Sequence, residues 1–425
     1  MTVIRRLFIL SWFLILLVGC TPAPNNSNTT VSTQPSSSPS ASPSPSPATT
    51  DTASVQVTLP LLDALLTDEK FVARAKQNLK LSDQQIDELK RVSGGAVAKL
   101  RESNAEDLDD NDGNPRERAE EQLRSVLGEQ KARDLAKLAN EYWSKGDTSE
   151  ASNDNLQMLK GPNAVPTDTR VVVNIPAFRM DLFQDGSLMK SYKVGIGYPQ
   201  FPLPLGLRKA QQIIFNPTWT PPDSPWVAKM KNVAPGETVE AGDKDNPLGP
   251  IKIPIGLPSL IHGGKSPARI GKFASHGCVG LTNAQIKDFA VLLGQASGTQ
   301  NVSNKMDTYL ADKEKTQTVK LSQTVPVELR YETIVLEDGK LHIYRDVYAQ
   351  DTNTEENLRS VLEANGLKLE DLPEQKRKEI LDKLKDVKKE TVIDISSVAQ
   401  KGYPAPVDLD AGNGNKPGSK ARIKS

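Results

Sequence analysis

Cysteine and histidine are both scarce in this chain. Its 425 residues include two cysteines, Cys20 and Cys278, and three histidines. Two cysteines are too few for a disulfide framework or a four-cysteine zinc site, and three histidines leave few ways to hold a metal. Only 5% of the residues are aromatic. A chain of this length has room for two or three domains.

Net charge is absent as well, because 53 basic side chains balance 53 acidic ones. Affinity for nucleic acid rests mainly on neutralising phosphates, so we expect no nucleic-acid partner. The balance conceals opposed segments. Residues 55–160 hold 16 basic and 21 acidic side chains, whereas residues 170–348 hold 21 and 16.

The N-terminal apolar run is too short to cross a bilayer. Basic residues at 5 and 6 precede a run over residues 7–18, whereas a spanning helix needs about 20 apolar residues. We therefore predict an export signal over residues 1–19. The sequence of residues 17–20 resembles the lipobox of bacterial lipoproteins, which implies that Cys20 becomes the acylated N-terminus. The alternative is an ordinary secretory signal that ends near a cysteine.

Residues 20–54 consist almost entirely of Ser, Thr, Pro, Asn and Ala. Such a segment has too little apolar surface to offset the entropy of ordering, so we predict a disordered tether. A lipid anchor with a long spacer favours a target away from the membrane surface. The cell wall is the obvious candidate, and the expected location is the cell envelope, facing the periplasm or the wall.

Residues 55–160 form a predicted helical module. Apolar residues such as Ile86, Leu89 and Val92 recur at helical spacing, and Ser82 with Gln85 has the pattern of a capping box. Several amphipathic helices are expected, and they carry the acidic excess.

The pattern changes near residue 169 to short β-branched runs. Asp185-Gly186 and Asp338-Gly339 each lie between two such runs at hairpin spacing. The connections are rich in proline, which leaves little room for long helices. We predict a β-rich domain over residues 169–348. Beyond it, residues 349–425 are expected to form two charged amphipathic helices, which pack on the N-terminal module or on a partner, and a disordered basic tail.

Two histidines and one cysteine cluster within 17 residues of this domain. His262 is followed by two glycines, and Cys278 ends the sequence Ser275-His276-Gly277-Cys278. If Cys20 is acylated, Cys278 is a free thiol in an exported protein. A lone cysteine is most often a small buried apolar residue, but the neighbouring histidines favour a nucleophile.

The chemistry of a thiol explains these neighbours. A thiol with a pKa of about 8.5 is mostly protonated at neutral pH, and an imidazole activates it by accepting the proton. His262 is too distant in sequence to share a helical face with Cys278, so it must approach from a separate strand or loop. Gly277 lets backbone N–H groups come close to a reacting carbonyl and form an oxyanion hole. This arrangement predicts acyl transfer.

At these residues the chain resembles the L,D-transpeptidase catalytic domain of the YkuD type. The resemblance covers roughly residues 169–348 and implies a mostly antiparallel β structure, a sandwich or barrel with the cysteine in a cleft under a lid. It implies that Cys278 is the nucleophile, that His262 is its base and that the Gly263 carbonyl orients the imidazole. It further implies that Ser275, His276 and Gly277 shape the cleft, with backbone N–H groups near Gly277 and Cys278 as oxyanion donors.

The resemblance also implies a reaction. The thiolate attacks a peptidoglycan stem tetrapeptide, expels the terminal D-Ala and passes the acyl group to a second stem as a 3-3 cross-link. No metal or organic cofactor is required, and carbapenems acylate the same thiol. Two alternatives remain open: an L,D-carboxypeptidase that uses the same cysteine, and a non-catalytic wall-binding lipoprotein.

One position departs from the family pattern. Most members have Arg, and some Asn, two residues after the nucleophile, where this chain has Gly280. Glycine cannot hold a substrate carboxylate as arginine does. Lys265, Arg269 and Lys272 are candidate replacements, although a solvated loop is the favoured interpretation of all three.

The aromatic residues Tyr198, Trp219 and Trp226 either line a cleft or pack in the core. His342 is interpreted as structural. As a hypothesis, the acidic module and the basic domain dock on each other, or the basic face meets the carboxylates of wall peptides.

Overall fold

The described part of the chain begins after the predicted tether. The computed structural model describes residues 57–102, 114–145, 156–221, 227, 230, 232–234, 236–256, 259–399 and 402–409. The predicted signal peptide, Cys20, the tether, Trp226 and the basic tail lie outside these residues. Within them, every helix lacks either the length or the apolar character of a membrane span.

The predicted helical module is confirmed. Its helices are α1 Leu59–Leu66, α2 Glu69–Leu79, α3 Asp83–Glu102, α4 Pro115–Leu127 and α5 Glu129–Lys145. The capping box at the start of α3 is present: the Ser82 N–H donates to Gln85 Oε1 at 3.1 Å, and the Gln85 N–H donates to Ser82 Oγ at 3.2 Å. Fully buried Phe71, Leu89 and Leu135 lie in the module's core.

The β-rich region is a curled, mostly antiparallel sheet, as the family resemblance implies. Its strands are β1 Arg170–Asn174, β2 Arg179–Gln184, β3 Ser187–Lys193, β5 Gly206–Phe215, β6 Ile251–Pro254, β7 Leu260–Lys265, β9 Val279–Thr282 and β10 Gln317–Arg330. Their order is β3-β2-β1-β10-β5-β6-β7-β9. Only the pairs β1–β10 and β7–β9 are parallel within this sheet. The Asp185-Gly186 turn joins β2 to β3, as predicted.

Two short strands, β4 Ile196–Gly197 and β8 Phe273–Ser275, form a separate parallel pair. The residues that follow them are the loop from Tyr198 to Leu205 and the turn that leads to Cys278. The β4–β8 pair therefore brings this loop to the turn that precedes β9.

The proline-rich connections predicted little room for long helices, but two helices of moderate length are present in this region. Helix α6 spans Asn283–Ala296 and α7 spans Val302–Ala311. Thr282 and Gln285 form a capping box at the start of α6, with Gln285 N–H donating to Thr282 Oγ1 at 3.2 Å. Phe289 and Leu293 recur on one face of α6 and are fully buried in the core of the sheet. The helix starts immediately after β9, so it fixes the end of the strand that follows Cys278.

The C-terminal region has its own small core. It contains strands β11 Ile334–Glu337, β12 Lys340–Ile343 and β13 Thr391–Asp394 and helices α8 Glu355–Ala364 and α9 Glu374–Leu384. The predicted Asp338-Gly339 hairpin is present, but it pairs with β13 in a separate three-stranded sheet. The two predicted helices pack on this sheet. Val347 and Tyr348 nevertheless lie in the core of the larger sheet.

Candidate active site

Strands β7 and β9 bring His262 and Cys278 to one face of the sheet. The strands are parallel, with His262 opposite Gly280 and Ile261 opposite Val279. Cys278 immediately precedes β9, two residues before Gly280. Side chains two residues apart point to the same face of a strand. His262 and Cys278 therefore share a face although sixteen positions separate them in the sequence.

The turn before the cysteine is fixed by Ser275. The Cys278 N–H donates to Ser275 Oγ at 3.0 Å, and the Ser275 hydroxyl donates to the Cys278 carbonyl. Gly277 has a φ of +90°, a conformation that suits glycine. Because the Cys278 N–H already has an acceptor, the Gly277 N–H is the better candidate for the oxyanion donor. The resemblance had pointed to both, and the role remains a prediction.

His262 is buried and held by carbonyl groups. Its Nδ1 atom lies 2.7 Å from the Gly263 carbonyl oxygen. A carbonyl only accepts, so this contact places the ring hydrogen on Nδ1 and leaves Nε2 as the basic nitrogen. The position of Gly263 fits the orienting role that the resemblance implies, and that role stays a prediction.

His276 packs against the loop that follows β4. Its ring centroid lies 5.4 Å from that of Tyr198 and 4.8 Å from that of Phe201. The Tyr198 N–H donates to the Ser275 carbonyl at 2.9 Å, which ties the loop to the turn. Tyr348 adds a further tie, since its hydroxyl donates to the Gly197 carbonyl at 2.9 Å. His276 therefore lies between the turn and this loop, a position that fits the cleft-shaping role implied by the resemblance, and that role stays a prediction.

Burial makes both members of the candidate pair neutral. Burial, together with the charge of Lys265, lowers the pKa of His262 to about 3. It raises the pKa of the Cys278 thiol, which the Leu260 backbone N–H and Lys265 partly oppose. At neutral pH the resting site thus holds a thiol and an imidazole rather than an ion pair. The proton must pass to His262 as the sulfur attacks.

The three candidate cations differ in position. Lys265 is half-buried, and its stem lies over Gly280, where an added Cβ would be 2.8 Å from Lys265 Cγ. Arg269 Nη1 lies 3.5 Å from the Tyr198 hydroxyl. Lys272 is exposed. A solvated loop describes Lys272, but it is wrong for Lys265.

The remaining aromatic residues and His342 have packing or hydrogen-bond partners within the fold. Tyr198 and Trp219 are each 8% exposed and belong to apolar clusters. His342 lies on β12 with its Nδ1 atom 2.8 Å from Glu390, so it has a structural partner. The described residues contain no cluster of His, Cys, Asp or Glu suited to a metal ion.

Docking of the helical module on this domain was one hypothesis from the sequence, but the contact of the module with the site was not predicted. Trp143 of α5 is buried, and an added Cβ on Gly277 would lie 3.8 Å from its ring. The Arg208 guanidinium donates to the Trp143 carbonyl. Thr58 Oγ1 also donates to the Gln200 carbonyl at 2.8 Å. The helical module therefore packs on the loop and turn around Cys278, and no periodicity in the sequence reveals such a contact.

Comparison with solved structures finds L,D-transpeptidases. The chain is similar to an E. faecium catalytic domain, at 17% identity over 39% of this chain and 99% of that chain, with a TM-score of 0.25. It is similar to an enzyme from Mycobacterium smegmatis, at 14% identity over 38% and 58%, with a TM-score of 0.23. Mycobacterium tuberculosis L,D-transpeptidase 3, solved with a faropenem-derived adduct, gives 12% over 38% and 60%, with a TM-score of 0.23.

This chain spans only part of several of these proteins, including 48% of one solved as an avibactam carbamoyl enzyme. No curated protein matches the chain. The family model for the YkuD L,D-transpeptidase catalytic domain matches residues 168–303, which include β1, the Ser275 to Cys278 turn and α6. Residues 168–303 are therefore similar to the YkuD-type L,D-transpeptidase catalytic domain.

Proposed function

We propose that the protein is an L,D-transpeptidase that acts on peptidoglycan stem peptides through a thioester on Cys278. The observation that carries this proposal is the register that puts His262 of β7 opposite Gly280 of β9, two residues after Cys278, with Nδ1 of the imidazole 2.7 Å from the Gly263 carbonyl oxygen. The bond to Gly263 places the ring hydrogen on Nδ1, so Nε2 is the nitrogen proposed to receive the thiol proton.

The proposed reaction has two acyl transfers. As Cys278 Sγ attacks the carbonyl of the L-centred diamino acid at stem position three, His262 Nε2 takes the thiol proton. The oxyanion accepts a hydrogen bond from the Gly277 N–H. Collapse breaks the peptide bond, and the imidazolium protonates the leaving D-Ala amine. The amine of a second stem then attacks the thioester, which forms the 3-3 cross-link and returns the thiol. None of these steps requires a metal or organic cofactor.

The protein is further proposed to be a lipoprotein of the cell envelope. Acylated Cys20 would anchor it in the membrane, and the tether of residues 20–54 would let the catalytic domain reach peptidoglycan. Labelling cells with a palmitate analogue tests this anchor, because Cys20→Ala should abolish incorporation.

Intact-protein mass after incubation with a carbapenem tests the nucleophile. A β-lactam is an apt probe, since a related enzyme was solved with a faropenem-derived adduct. We expect a single adduct on the wild type and none on folded Cys278→Ala. No adduct on folded wild type would favour the non-catalytic wall-binding alternative. Muropeptide analysis then separates transfer from hydrolysis, because transfer gives 3-3 dimers and a carboxypeptidase gives only tripeptides.

A further inference from the structure

Lys265 reaches the face of the catalytic cysteine through a β-bulge. His262 pairs with Gly280 and Lys265 pairs with Thr282, so three steps along β7 match two along β9. In a regular strand, residues three apart point to opposite faces. The extra residue restores Lys265 to the face of His262.

The two glycines after His262 make this bulge possible. Gly264 has a φ of +82°, and a Cβ on it would lie 2.3 Å from the Pro247 carbonyl oxygen. Its N–H donates to Asn283 Oδ1 at 2.8 Å. Both the conformation and the close approach exclude a larger residue. The bulge is therefore fixed by packing on two sides, and the direction of Lys265 with it.

The missing side chain at Gly280 provides the space that the Lys265 stem occupies. A Cβ at position 280 would lie 2.8 Å from Lys265 Cγ and 2.9 Å from Cε. A side chain at 280 and the observed path of Lys265 thus exclude each other. The stem of Lys265, which belongs to β7, therefore occupies the volume that a side chain at position 280 of β9 would otherwise fill.

The Lys265 ammonium lacks a carboxylate partner in the described part of the chain, where the charge that acts on it is that of Cys278. Its own charge acts on Cys278, His262 and His276. Burial lowers the pKa of Lys265. An uncompensated half-buried cation is costly to hold. It is suited to a site whose anion arrives with the substrate.

We propose that Lys265 binds the carboxylate of the terminal residue of the donor stem peptide and so selects donors with a free C-terminus. This inference rests on the proposed function. The carboxylate belongs to the residue whose nitrogen leaves, so it lies close to the attacked carbonyl. A cation beside Cys278 is therefore in the right place to hold it. Lys265 contributes a single mobile charge, whereas a guanidinium offers a bidentate fork.

The test compares a stem tetrapeptide ending in D-Ala with the same peptide as its C-terminal amide. Release of D-Ala or D-alaninamide gives kcat and KM for the wild type, Lys265→Gln, Lys265→Arg and the matched control Lys272→Gln. A charge-assisted hydrogen bond predicts that the wild type prefers the acid by about 10- to 100-fold in kcat/KM. Lys265→Gln should lose that preference, mainly on the acid, whereas Lys265→Arg and Lys272→Gln should keep it.

A double variant distinguishes a specific loss of acid preference from a loss of folding. Lys265→Ala with Gly280→Arg returns a cation to the same volume from the neighbouring strand, and should regain part of the acid preference that Lys265→Ala loses. Equal losses on acid and amide in Lys265→Gln would overturn the assignment, because the lysine would then act only on the thiol. Equal wild-type rates on both peptides would also overturn it. Release from neither peptide would instead defeat the proposed function, and the assignment with it.

Discussion

The eight-stranded sheet has one side, around β1 and β10, where buried charges are paired, and another, around β7 and β9, where a partly buried charge is not. Toward β1 and β10, Glu328 is 1% exposed and accepts from two guanidinium groups, Arg170 at 2.5 Å and Arg330 at 2.8 Å. Toward β7 and β9, Lys265 has no carboxylate partner among the described residues. The paired side uses charge to hold strands together. The unpaired side keeps a cation without a carboxylate partner among the described residues, and the substrate carboxylate is proposed to supply one.

A second paired network joins the sheet to the C-terminal region. Arg179 of β2 contacts Asp181 at 2.8 Å and Glu337 of β11 at 2.5 Å. The Arg179 guanidinium also donates to the Pro404 carbonyl at 3.0 Å, and the Tyr403 hydroxyl donates to Asp181 at 3.2 Å. These partners of Arg179 are all groups of the protein and not of a ligand. The difference between the two sides therefore separates charges that support the fold from a charge reserved for substrate, and variants on each side should separate stability from activity.

The largest expected effect is on the unpaired side. His262→Asn removes the base, so the acylation rate of Cys278 by a carbapenem should fall by about 10²- to 10⁴-fold. The variant leaves no buried charge behind, and urea titration of its free energy of unfolding separates loss of the base from loss of folding. Stopped-flow or mass-resolved acylation measures the rate. Acylation within a few-fold of the wild type would show that another group takes the proton.

The next effect is on the paired side. Glu328→Gln removes the shared negative charge and leaves Arg170 and Arg330 with less compensation. Breaking a buried pair in this way should cost about 3 kcal/mol in free energy of unfolding by urea titration. Exposed Glu355, paired with Arg359, is the matched control, and Glu355→Gln should cost far less. If both variants lost the same stability, burial of the network would contribute nothing.

The pH dependence of alkylation tests the neutral resting pair. Because burial raises the pKa of Cys278 and lowers that of His262 to about 3, the rate with iodoacetamide should rise on one alkaline limb above the ordinary thiol pKa of about 8.5. Lys265→Gln should move this limb to higher pH, since the lysine charge favours the thiolate. A plateau between pH 4 and 8 would instead reveal a thiolate-imidazolium pair.

The smallest effect concerns the helical module. Thr58→Val removes the bond to the Gln200 carbonyl and the cap on α1, which should cost about 1 to 2 kcal/mol in stability. A few-fold loss of acylation rate is also expected, because this loop flanks His276. Thr58→Ser, which keeps the hydroxyl, should restore both. Unchanged stability and acylation in Thr58→Val would show that the module does not support the loop.

Local signals predicted much of this architecture. The two Asp-Gly hairpins and the capping box at Ser82 follow from short-range turn and helix chemistry, and the helical periodicity marks the N-terminal module. The family motif identified Cys278 and its neighbours as candidate site residues. Helix α6 was missed, although Thr282 and Gln285 have the same spacing as the Ser82 box.

Contacts between residues far apart in the sequence could not be predicted from local patterns. The hairpin at Gly339 pairs with β13, about fifty residues later, and no local pattern specifies that partner. Lys265 was assigned to a solvated loop because it lies between the His262 and Cys278 halves of the motif, and strict alternation along β7 would in any case turn it away from the face of His262. The bulge at Gly264 reverses that assignment, and it depends on contacts with Pro247 and Asn283. A register shift of this kind is set by packing across the sheet.

Detection of the acyl-enzyme is the most direct test of Cys278 as the nucleophile. Wild-type protein mixed with a stem tetrapeptide and quenched in acid should gain the mass of the tripeptide acyl group on Cys278, with release of one D-Ala per enzyme in the first turnover. The adduct should disappear when an acceptor amine is added, as the cross-linked product forms. Release of D-Ala without any Cys278 adduct in a rapid quench, or release by folded Cys278→Ala, would contradict the account.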